Sequence, residues 1–406
     1  MAVHDIVLHG ATGFVGQLVA DYLARHPESH RFSWAIAGRN PDKLARVRDA
    51  VAAKGTAPEM IVAQAAEEAS VQAMVADAKV VLNVAGPFSQ YHGDHIVGAC
   101  ARSGTHYADL SGEYWYQRQL IDEFHAEAER TGAKIVLAAG VDSIPSDLGV
   151  QLAIEHLSAK GGRARQVKAL FTRYTGSFSG GTRRAMQARK MIKQSSEYEA
   201  GFHTDPYVLA PDVMRSHDGE TVAGWDARRF DRDLRRWGGP FFMAPINARV
   251  VRRSLALDGH LPCTYEEGIS VAAWLSAAWI YLSRGFGYFV GAPIPMQPKS
   301  GEGPPPWLQR AGSFCVRVHA TTEDRTKSAL VEIRGTGDPG YLATSKMLTE
   351  VGLALLLDEA SPRGGVLTPA TALGPVLRRR LAEAEEGRFM QFRMLNLYDE
   401  SRWTPD

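Results

Sequence analysis

The chain has 406 residues, enough for two domains and a large buried core. Its 46 lysines and arginines nearly balance its 45 aspartates and glutamates, so the net charge gives no reason to expect nucleic-acid binding. Cys100, Cys263 and Cys315 are far apart and lack C-x-x-C spacing. This argues against a disulfide framework or a zinc ribbon and predicts a reducing, cytoplasmic setting.

The first forty residues have the pattern of a strand, a glycine turn and a helix. An apolar run from Ile6 to Leu8 ends at Gly10, two more glycines follow at three-residue steps, and apolar residues then recur at helical spacing. A second strand is predicted over 32–37. Glycines let the backbone approach a pyrophosphate, and the helix N-terminus presents free N–H groups to it. The pattern predicts a dinucleotide site at Gly10, Ala11, Thr12, Gly13, Phe14, Val15 and Gly16.

The end of the second strand predicts which cofactor binds. A cofactor with a free ribose 2′-hydroxyl usually meets Asp or Glu there, whereas this chain has Arg39 and Asn40, with Lys43 one helical turn further. Arg39 can bind a 2′-phosphate bidentately, and an acidic side chain would repel that phosphate. The sequence therefore favours NADPH over NADH. The alternative is an arginine that is merely exposed to solvent.

The first third of the chain alternates strand and helix patterns. Further strands are predicted at about 60–63, 80–85, 105–109 and 133–138, and helices at about 41–53, 67–76, 95–103 and 115–131. This alternation predicts an α/β fold with a Rossmann-type, doubly wound parallel sheet over residues 1–140.

A second, α+β domain is predicted over residues 141–339. A polar turn at 141–147 leads into a helix at about 148–158, and strand-like runs follow at 167–175, 314–320 and 330–336, as in an antiparallel sheet. Residues 215–236 mix both charge signs and are interpreted as a solvated excursion, and 292–306 as a loop. A helix at 341–357, a turn at 364–365 and a helix after Thr368 form a C-terminal part, residues 340–406, expected to pack back on the first domain.

An apolar segment runs from Ile269 to Val290, interrupted by Arg284 and two glycines. It approaches the length of a membrane span. It is interpreted as a buried or substrate-facing helix, and contact with a membrane surface is the alternative.

Two polar clusters follow the predicted fifth and sixth strands. One contains Asp109 and Glu113, and the other contains Asp142 and Ser143. Ligands bind at the carboxyl ends of strands in open sheets, so these side chains could orient the nicotinamide ribose or relay a proton. Caps and turns are an equally good explanation for such residues.

Other familiar arrangements are absent or weak. No Tyr is followed by Lys four residues later, so the sequence gives no support for the short-chain dehydrogenase mechanism. The pair His92 and His95 does not match H-E-x-x-H, and no metal is predicted. The basic run from Thr182 to Lys193 is either a helix that docks an acidic carrier protein or a solvated face.

Taken together, several motifs resemble the saccharopine dehydrogenase-like oxidoreductases, and most closely their trans-acting enoyl reductase branch. The resemblance runs from Ile6 to about Leu381. The motifs are G-A-T-G-F-V-G, A-G-R-N, L-N-V-A-G-P-F with Tyr91 and Gly93, H-Y-A-D-L-S-G-E, G-V-D-S-I-P-S-D-L-G and G-D-P-G-Y-L-A-T-S-K-M-L-T-E. This implies a Rossmann domain with an inserted α+β domain, and NADPH reduction of an α,β-double bond in an acyl chain carried by an acyl carrier protein or polyketide synthase.

The resemblance also implies roles for individual residues. The glycine turn would hold the pyrophosphate, Arg39 would bind the 2′-phosphate, and the segment Val84, Ala85, Gly86 and Pro87 would lie along the cofactor. Tyr91 is the first candidate for the donor to the enolate oxygen or for the proton source, with Asp142 and Ser143 placing the nicotinamide. Related sequences often have Asp after the third strand, where this chain has Gln64, so that adenine contact is not carried over.

Two other functions remain open from the sequence. One is a saccharopine-type amino acid dehydrogenase, which would need arginines around several substrate carboxylates. The other is a non-catalytic NADPH-binding protein that contacts lipid surfaces through 269–290. A homo-oligomer is a further expectation.

Overall fold

The structure is a computed structural model that describes residues 3–176, 204–212, 224–225, 227–273, 275, 302–358 and 360–396. These residues form two seven-stranded sheets with helices packed on them. No helix in the described ranges is long and apolar enough to cross a membrane. The basic run 182–193 and nearly all of 274–290 lie outside the described residues.

The first sheet is entirely parallel, which confirms the predicted Rossmann-type fold class. Its strand order is β13-β6-β5-β4-β1-β2-β3. The strands are β1 (His4–His9), β2 (Trp34–Gly38), β3 (Glu59–Val62), β4 (Ala78–Asn83), β5 (His106–Asp109), β6 (Lys134–Val136) and β13 (Gly365–Leu367).

Five helices connect the strands of this sheet, close to where the apolar periodicity predicts them. They are α1 (Phe14–Arg25), α2 (Pro41–Ala52), α3 (Glu68–Ala76), α4 (Gly93–Ser103) and α5 (Tyr114–Thr131). Helices α4 and α5 both end at a glycine, Gly104 and Gly132, whose positive φ favours glycine. The strand order reverses direction between β1 and β4, so the carboxyl ends of these two strands flank the crevice in which such sheets bind ligands.

The second sheet is mixed, and its order is β14-β12-β11-β7-β10-β9-β8. Only β7 and β10 pair in parallel. Its strands are β7 (Gln166–Thr175), β8 (Arg229–Asp231), β9 (Arg236–Gly239), β10 (Thr264–Ser270), β11 (Ser313–Thr321), β12 (Ser328–Thr336) and β14 (Met390–Leu395). The helices of this part are α6 (Ile144–Ala159), α7 (Ala244–Leu257) and α8 (Pro306–Ala311).

Helix α6 packs closely on the second sheet at a glycine. A Cβ atom added to Gly149 would lie 2.7 Å from Cδ1 of Ile333 and 2.9 Å from Cγ2 of Val318. The end of α6 near Ile144 therefore joins the carboxyl edge of the first sheet to the core of the second.

The C-terminal stretch contributes to both sheets. Helix α9 (Leu342–Leu357) packs against α1 and β4, where a Cβ on Gly352 would lie 2.9 Å from Leu82. Helix α10 (Pro369–Gly387) follows β13, which extends the first sheet, and β14 then pairs with β12 of the second.

Three local predictions need correction. A turn is expected at 364–365, but Gly365 is the first residue of strand β13. The mixed-charge stretch 215–236 contains β8 and the first residue of β9, because its apolar residues Phe230 and Leu234 are interleaved with charges. Ile269 and Ser270 end β10 rather than start a helix.

Candidate functional site

The glycine turn between β1 and α1 has no room for a side chain at Gly10 or Gly16. Gly10 has a φ of +85°, and a Cβ there would lie 2.8 Å from the backbone nitrogen of Ala85. A Cβ on Gly16 would lie 2.3 Å from the carbonyl oxygen of Gly10. Gly13 precedes α1 without a side-chain cap, and the first turn has no acidic residue. The helix start is thus a positive dipole end that no side chain of its own cap neutralises.

Other predicted members of the turn are oriented by local contacts. The carbonyl oxygen of Thr12 accepts a hydrogen bond from the side-chain amide of Gln17 at 3.3 Å. Val15 is partly buried and packs against the main core. Ala11 is fully buried. These contacts fix the backbone of the turn around the site where a pyrophosphate would lie.

The end of β2 presents free positive charge. Within the described ranges, Arg39 and Lys43 are exposed and form no hydrogen bond or ion pair through their side chains. Asn40 caps α2, since its Oδ1 accepts a hydrogen bond from the backbone nitrogen of Lys43 at 2.9 Å. Arg46, which sequence analysis overlooked, is exposed one turn after Lys43 on the same helix face. The three-residue spacing between Lys43 and Arg46 could have predicted this from the sequence, because residues three apart lie on the same face of a helix.

Glu113 holds the loop that follows β4. Its Oε1 accepts a hydrogen bond from the backbone nitrogen of Phe88 at 2.8 Å, and its Oε2 accepts one from the nitrogen of Ser89 at 3.3 Å. The Ser89 hydroxyl also donates to it. These bonds position the preceding segment, Val84 to Pro87, beside Gly10. Both carboxylate oxygens of Glu113 are therefore engaged by the loop.

A buried polar chain runs beneath the carboxyl ends of β1, β4 and β5. Asn83 Oδ1 contacts Nδ1 of His9 at 3.0 Å, and its Nδ2 donates to the Tyr107 hydroxyl at 3.0 Å. Tyr107 donates to Asp109 at 3.0 Å, and Asp109 also accepts from the Ser111 hydroxyl at 2.7 Å. Burial raises the pKa of Asp109 to about 6, although these hydrogen bonds favour the ionised form.

Asp142 and Ser143 lie in the loop between β6 and α6. The Ser143 side chain is fully buried, and its hydroxyl has no hydrogen-bond partner among the described residues. Burial raises the pKa of Asp142 to about 6. Thr344, at the start of α9, fixes this loop because its hydroxyl accepts from the backbone nitrogen of Val141 at 3.1 Å. An unpaired buried hydroxyl beside a ligand crevice fits a group that a cofactor or substrate would satisfy.

Tyr91 and the histidines lie on the exposed side of the loop after β4. The Tyr91 side chain is 39% exposed. The candidate ligand atoms of His92, Asp94 and His95 all lie within 4.8 Å of one another, and His95 Nδ1 is 2.9 Å from the carbonyl oxygen of Ala65. A tetrahedral zinc ion needs ligand atoms about 3.3 Å apart, so this group would have to contract to bind one. No metal is therefore assigned to the group of His92, Asp94 and His95.

A second buried carboxyl group lies in the α+β part, and no sequence pattern predicts it. Glu267 on β10 accepts hydrogen bonds from the hydroxyls of Ser146 at 2.8 Å and Tyr265 at 2.6 Å, and from the amide of Asn247 at 2.6 Å. Burial raises the pKa of Glu267 to about 7. The Asn247 Oδ1 is buried and has no partner in the described ranges.

An aromatic cluster covers the carboxyl ends of β7 and β9. The Phe241 ring lies 4.6 Å from Phe171 and 5.2 Å from Tyr174, measured between centroids. Ile246, two residues beyond the start of α7, lies against Gly112 in the loop after β5. Helix α7, which follows Phe241 in the chain, thus reaches the ligand edge of the first sheet.

Known proteins match this chain over nearly its whole length. Residues 6–136 match the model of the saccharopine dehydrogenase NADP-binding domain. A Mycobacterium tuberculosis protein with the provisional name of trans-acting enoyl reductase is 38% identical over 408 residues, covering 94% of this chain and 96% of that relative. The Mycobacterium ulcerans trans-acting enoyl reductase is 35% identical, with 93% and 96% covered. The chain belongs to the saccharopine dehydrogenase-like oxidoreductases, in the trans-acting enoyl reductase branch.

The fold of this family member agrees with a solved structure. Apo saccharopine dehydrogenase (L-Glu forming) from Saccharomyces cerevisiae superimposes with a TM-score of 0.52 at 12% identity, covering 97% of this chain and all of that one. The protein is an NADP-dependent oxidoreductase, and its cofactor is NADPH. The close-packed glycine turn is compatible with that cofactor, as are Arg39, Lys43 and the Ser143 hydroxyl, none of which has a side-chain partner among the described residues.

Proposed function

We propose that this oxidoreductase reduces the α,β-double bond of an acyl thioester that is carried by an acyl carrier protein or polyketide synthase, in lipid or polyketide synthesis. The observation that carries the proposal is the similarity to proteins named trans-acting enoyl reductases, at 35–38% identity over at least 93% of the chain. The aromatic cluster of Phe171, Tyr174 and Phe241 packs against the exposed ring of Phe242 and supports it, since an acyl chain needs an accessible apolar wall.

The cofactor end of the proposed site is built from the first sheet. The backbone N–H groups at the start of α1 bind the pyrophosphate, and Arg39 binds the 2′-phosphate with Lys43 and Arg46 nearby. The segment Val84 to Pro87, held by Glu113, lies along the cofactor. Asp142 and Ser143 orient the nicotinamide, and the buried Ser143 hydroxyl gains a partner there.

Bound NADPH supplies the hydride that adds to the β-carbon of the enoyl thioester. Negative charge then develops on the thioester oxygen, which needs a hydrogen-bond donor. Tyr91, on the accessible side of the loop after β4, supplies this donor or the proton that the α-carbon receives. Asp109 supports Tyr107 and Asn83 beneath the loop and keeps this edge of the sheet in register.

A direct assay tests the proposal. Purified protein is mixed with NADPH and an enoyl thioester such as crotonyl-pantetheine, and NADPH oxidation is followed together with the mass of the product. We expect a saturated thioester from the first mixture and no reduction of NADP+ when the protein is given saccharopine and NADP+ instead. Turnover of those compounds alone would instead identify an amino acid dehydrogenase. Turnover of neither set, with binding to lipid vesicles, would favour the non-catalytic alternative.

A further inference from the structure

The hairpin formed by β8 and β9 separates its acidic residues from its basic ones. Both acids are turned toward the sheet: Lys168 Nζ lies 2.9 Å from Oδ2 of Asp231 and 3.0 Å from Oδ2 of Asp233. Arg325, from the turn between β11 and β12, donates to Asp233 at 2.6 Å. The backbone nitrogens of Asp233 and Leu234 also donate to Asp231. The negative charge of this hairpin is therefore neutralised by basic side chains from other parts of the second sheet.

The arginines of the same hairpin face solvent. Arg228, Arg229, Arg232 and Arg235 are all exposed. Arg229 pairs with Glu266 and stacks over Trp225, whereas Arg228 and Arg232 form no hydrogen bond or ion pair with any described residue. A stretch that mixes charge signs in the sequence thus presents a positive surface in the structure. We call residues 228–237 the arginine hairpin.

Two aromatic side chains are exposed within this positive surface. Phe230 is 48% exposed and Trp237 is 59% exposed, and their rings contact each other edge to face with centroids 5.9 Å apart. Strand β8 is the last described strand of the second sheet, so its outer edge pairs with no other described strand. Tryptophan and arginine are the residues that most often dominate protein–protein interfaces, and exposed aromatic patches mark such surfaces.

The arginine hairpin leads directly to the aromatic cluster. Strand β9 ends at Gly239, and Phe241 contacts Phe171 and Tyr174 two residues later. The five steps from Arg236 to Phe241 span at most about 17 Å of extended chain. A protein docked on the hairpin could therefore reach the cluster with a flexible tether of that length.

We propose that the arginine hairpin docks the acidic surface of the carrier protein that delivers the tethered acyl chain. The inference rests on the proposed function, because that function supplies a protein-bound substrate. Charge complementarity selects an acidic partner, and the exposed Phe230 and Trp237 favour a folded protein with an apolar contact patch. The near-zero net charge of the whole chain argues against a nucleic acid as the partner.

The experiment compares one acyl group with and without the carrier. The substrates are crotonyl-pantetheine and the same crotonyl-pantetheine arm attached to the acidic acyl carrier protein of bacterial fatty-acid synthesis. Arg228→Glu/Arg232→Glu should raise KM for the carrier-bound substrate about tenfold and leave kcat and KM for crotonyl-pantetheine unchanged. Arg228→Ala/Arg232→Ala should produce a smaller increase in the same direction. Added salt should raise KM for the carrier-bound substrate alone.

A matched control separates local docking from overall charge. Arg102→Glu/Arg130→Glu makes the same change in net charge on α4 and α5 of the other domain and should leave both KM values unchanged. Equal effects of the two double variants, or no effect of the hairpin variants on the carrier-bound substrate, would overturn the inference. The inference would also be overturned if the hairpin variants lost binding to anionic phosphatidylglycerol vesicles while both KM values stayed unchanged. The partner of the hairpin would then be a lipid surface. Failure of the parent protein to reduce crotonyl-pantetheine would count against the proposed function, and carrier binding measured by calorimetry would still test the hairpin.

Discussion

The Tyr341 ring meets the Phe14 ring edge to face, with centroids 5.4 Å apart and an interplanar angle of 77°. Phe14 opens α1 at the glycine turn, and Tyr341 immediately precedes α9, so residues 327 positions apart in the chain close one side of the turn. Gly303 also packs here, since a Cβ on it would lie 2.2 Å from Phe14 Cε1. The C-terminal stretch thus supports the turn that we propose binds the cofactor.

This contact predicts that Phe14 and Tyr341 act together. Phe14→Leu and Tyr341→Leu should each weaken NADPH binding severalfold, because each loosens the start of α1. A double-mutant cycle on the free energy of unfolding should give a coupling of about 0.5–1.5 kcal/mol, the usual range for an aromatic pair. The cycle is measured by urea unfolding and the NADPH affinity by fluorescence titration. Strictly additive effects would contradict a direct interaction.

Arg39→Asp should shift the cofactor preference from NADPH toward NADH. The substitution removes charge-assisted hydrogen bonds to the 2′-phosphate, each worth about 1.5–3 kcal/mol, so the NADPH affinity should fall roughly 10- to 150-fold. The NADH affinity should not fall. Arg48→Asp is a control on α2, the helix that follows Arg39, because Arg48 pairs with Asp49 instead. An unchanged ratio of the two affinities in Arg39→Asp would remove the role given to Arg39.

Most of the first domain could be predicted from the sequence, whereas much of the second could not. Buried parallel strands such as β2 are continuous apolar runs, and β2 ends at a glycine, so local pattern and tertiary position agree. Strand β13 is only three residues long and depends on pairing with β6, which no local signal reveals. Strand β10 carries two adjacent glutamates, and the buried Glu267 is accommodated there by hydrogen bonds from the distant Ser146 and Asn247 as well as from Tyr265 on the same strand.

Some parts of the candidate site could likewise be predicted from the sequence, and others could not. The glycine turn has a sequence signature because its backbone cannot accommodate a Cβ at Gly10 or Gly16. The hydrogen bonds that Glu113 accepts from Phe88 and Ser89 join residues more than twenty positions apart, and nothing in the sequence pairs them. The inward orientation of Asp231 and Asp233 likewise depends on Lys168 from β7 and on Arg325 from the turn between β11 and β12.

Gly16→Ala should be far more damaging than Gly13→Ala. A Cβ on Gly16 would lie 2.3 Å from the Gly10 carbonyl oxygen and 2.7 Å from Ala11 Cα, so backbone would have to move. A Cβ on Gly13 meets nothing closer than 3.4 Å, and the φ of Gly13 is −76°, which alanine adopts readily. Thermal unfolding should show a midpoint several degrees lower for Gly16→Ala and little change for Gly13→Ala. Equal losses would mean that the turn is not tightly packed.

Tyr91→Phe should lower kcat by about 10²-fold or more and leave the NADPH affinity unchanged, if the phenol donates to the enolate oxygen or supplies the proton. The side chain is partly exposed, so removing one oxygen should leave the unfolding midpoint unchanged. Steady-state kinetics with crotonyl-pantetheine measure the first effect and cofactor titration the second. Turnover close to that of the parent protein would exclude Tyr91 as the essential donor.

Glu267→Gln should make the stability of the protein less dependent on pH. Burial raises the pKa of Glu267 to about 7 in the folded protein, above its ordinary value of 4.5, so the folded state holds a proton that the unfolded state has already released. The resulting stabilisation is complete below about pH 4.5 and is lost as the pH rises through about 7, a change of about 3 kcal/mol at most. Other buried carboxyl groups, including Asp147 with a pKa raised by burial to about 7, contribute in the same direction.

Glutamine keeps the shape of this side chain and cannot ionise. The contribution of this carboxyl group to the pH dependence of the free energy of unfolding should therefore disappear. Its Oε1 can still accept from Asn247, and its amide can donate to the Ser146 or Tyr265 hydroxyl. Urea unfolding between about pH 5 and pH 8 should therefore give a flatter curve for Glu267→Gln than for the parent protein. Glu123→Gln, at an exposed position on α5, should leave the slope unchanged. A parent-like slope in Glu267→Gln would show that this carboxyl group is ionised in the folded protein throughout that range.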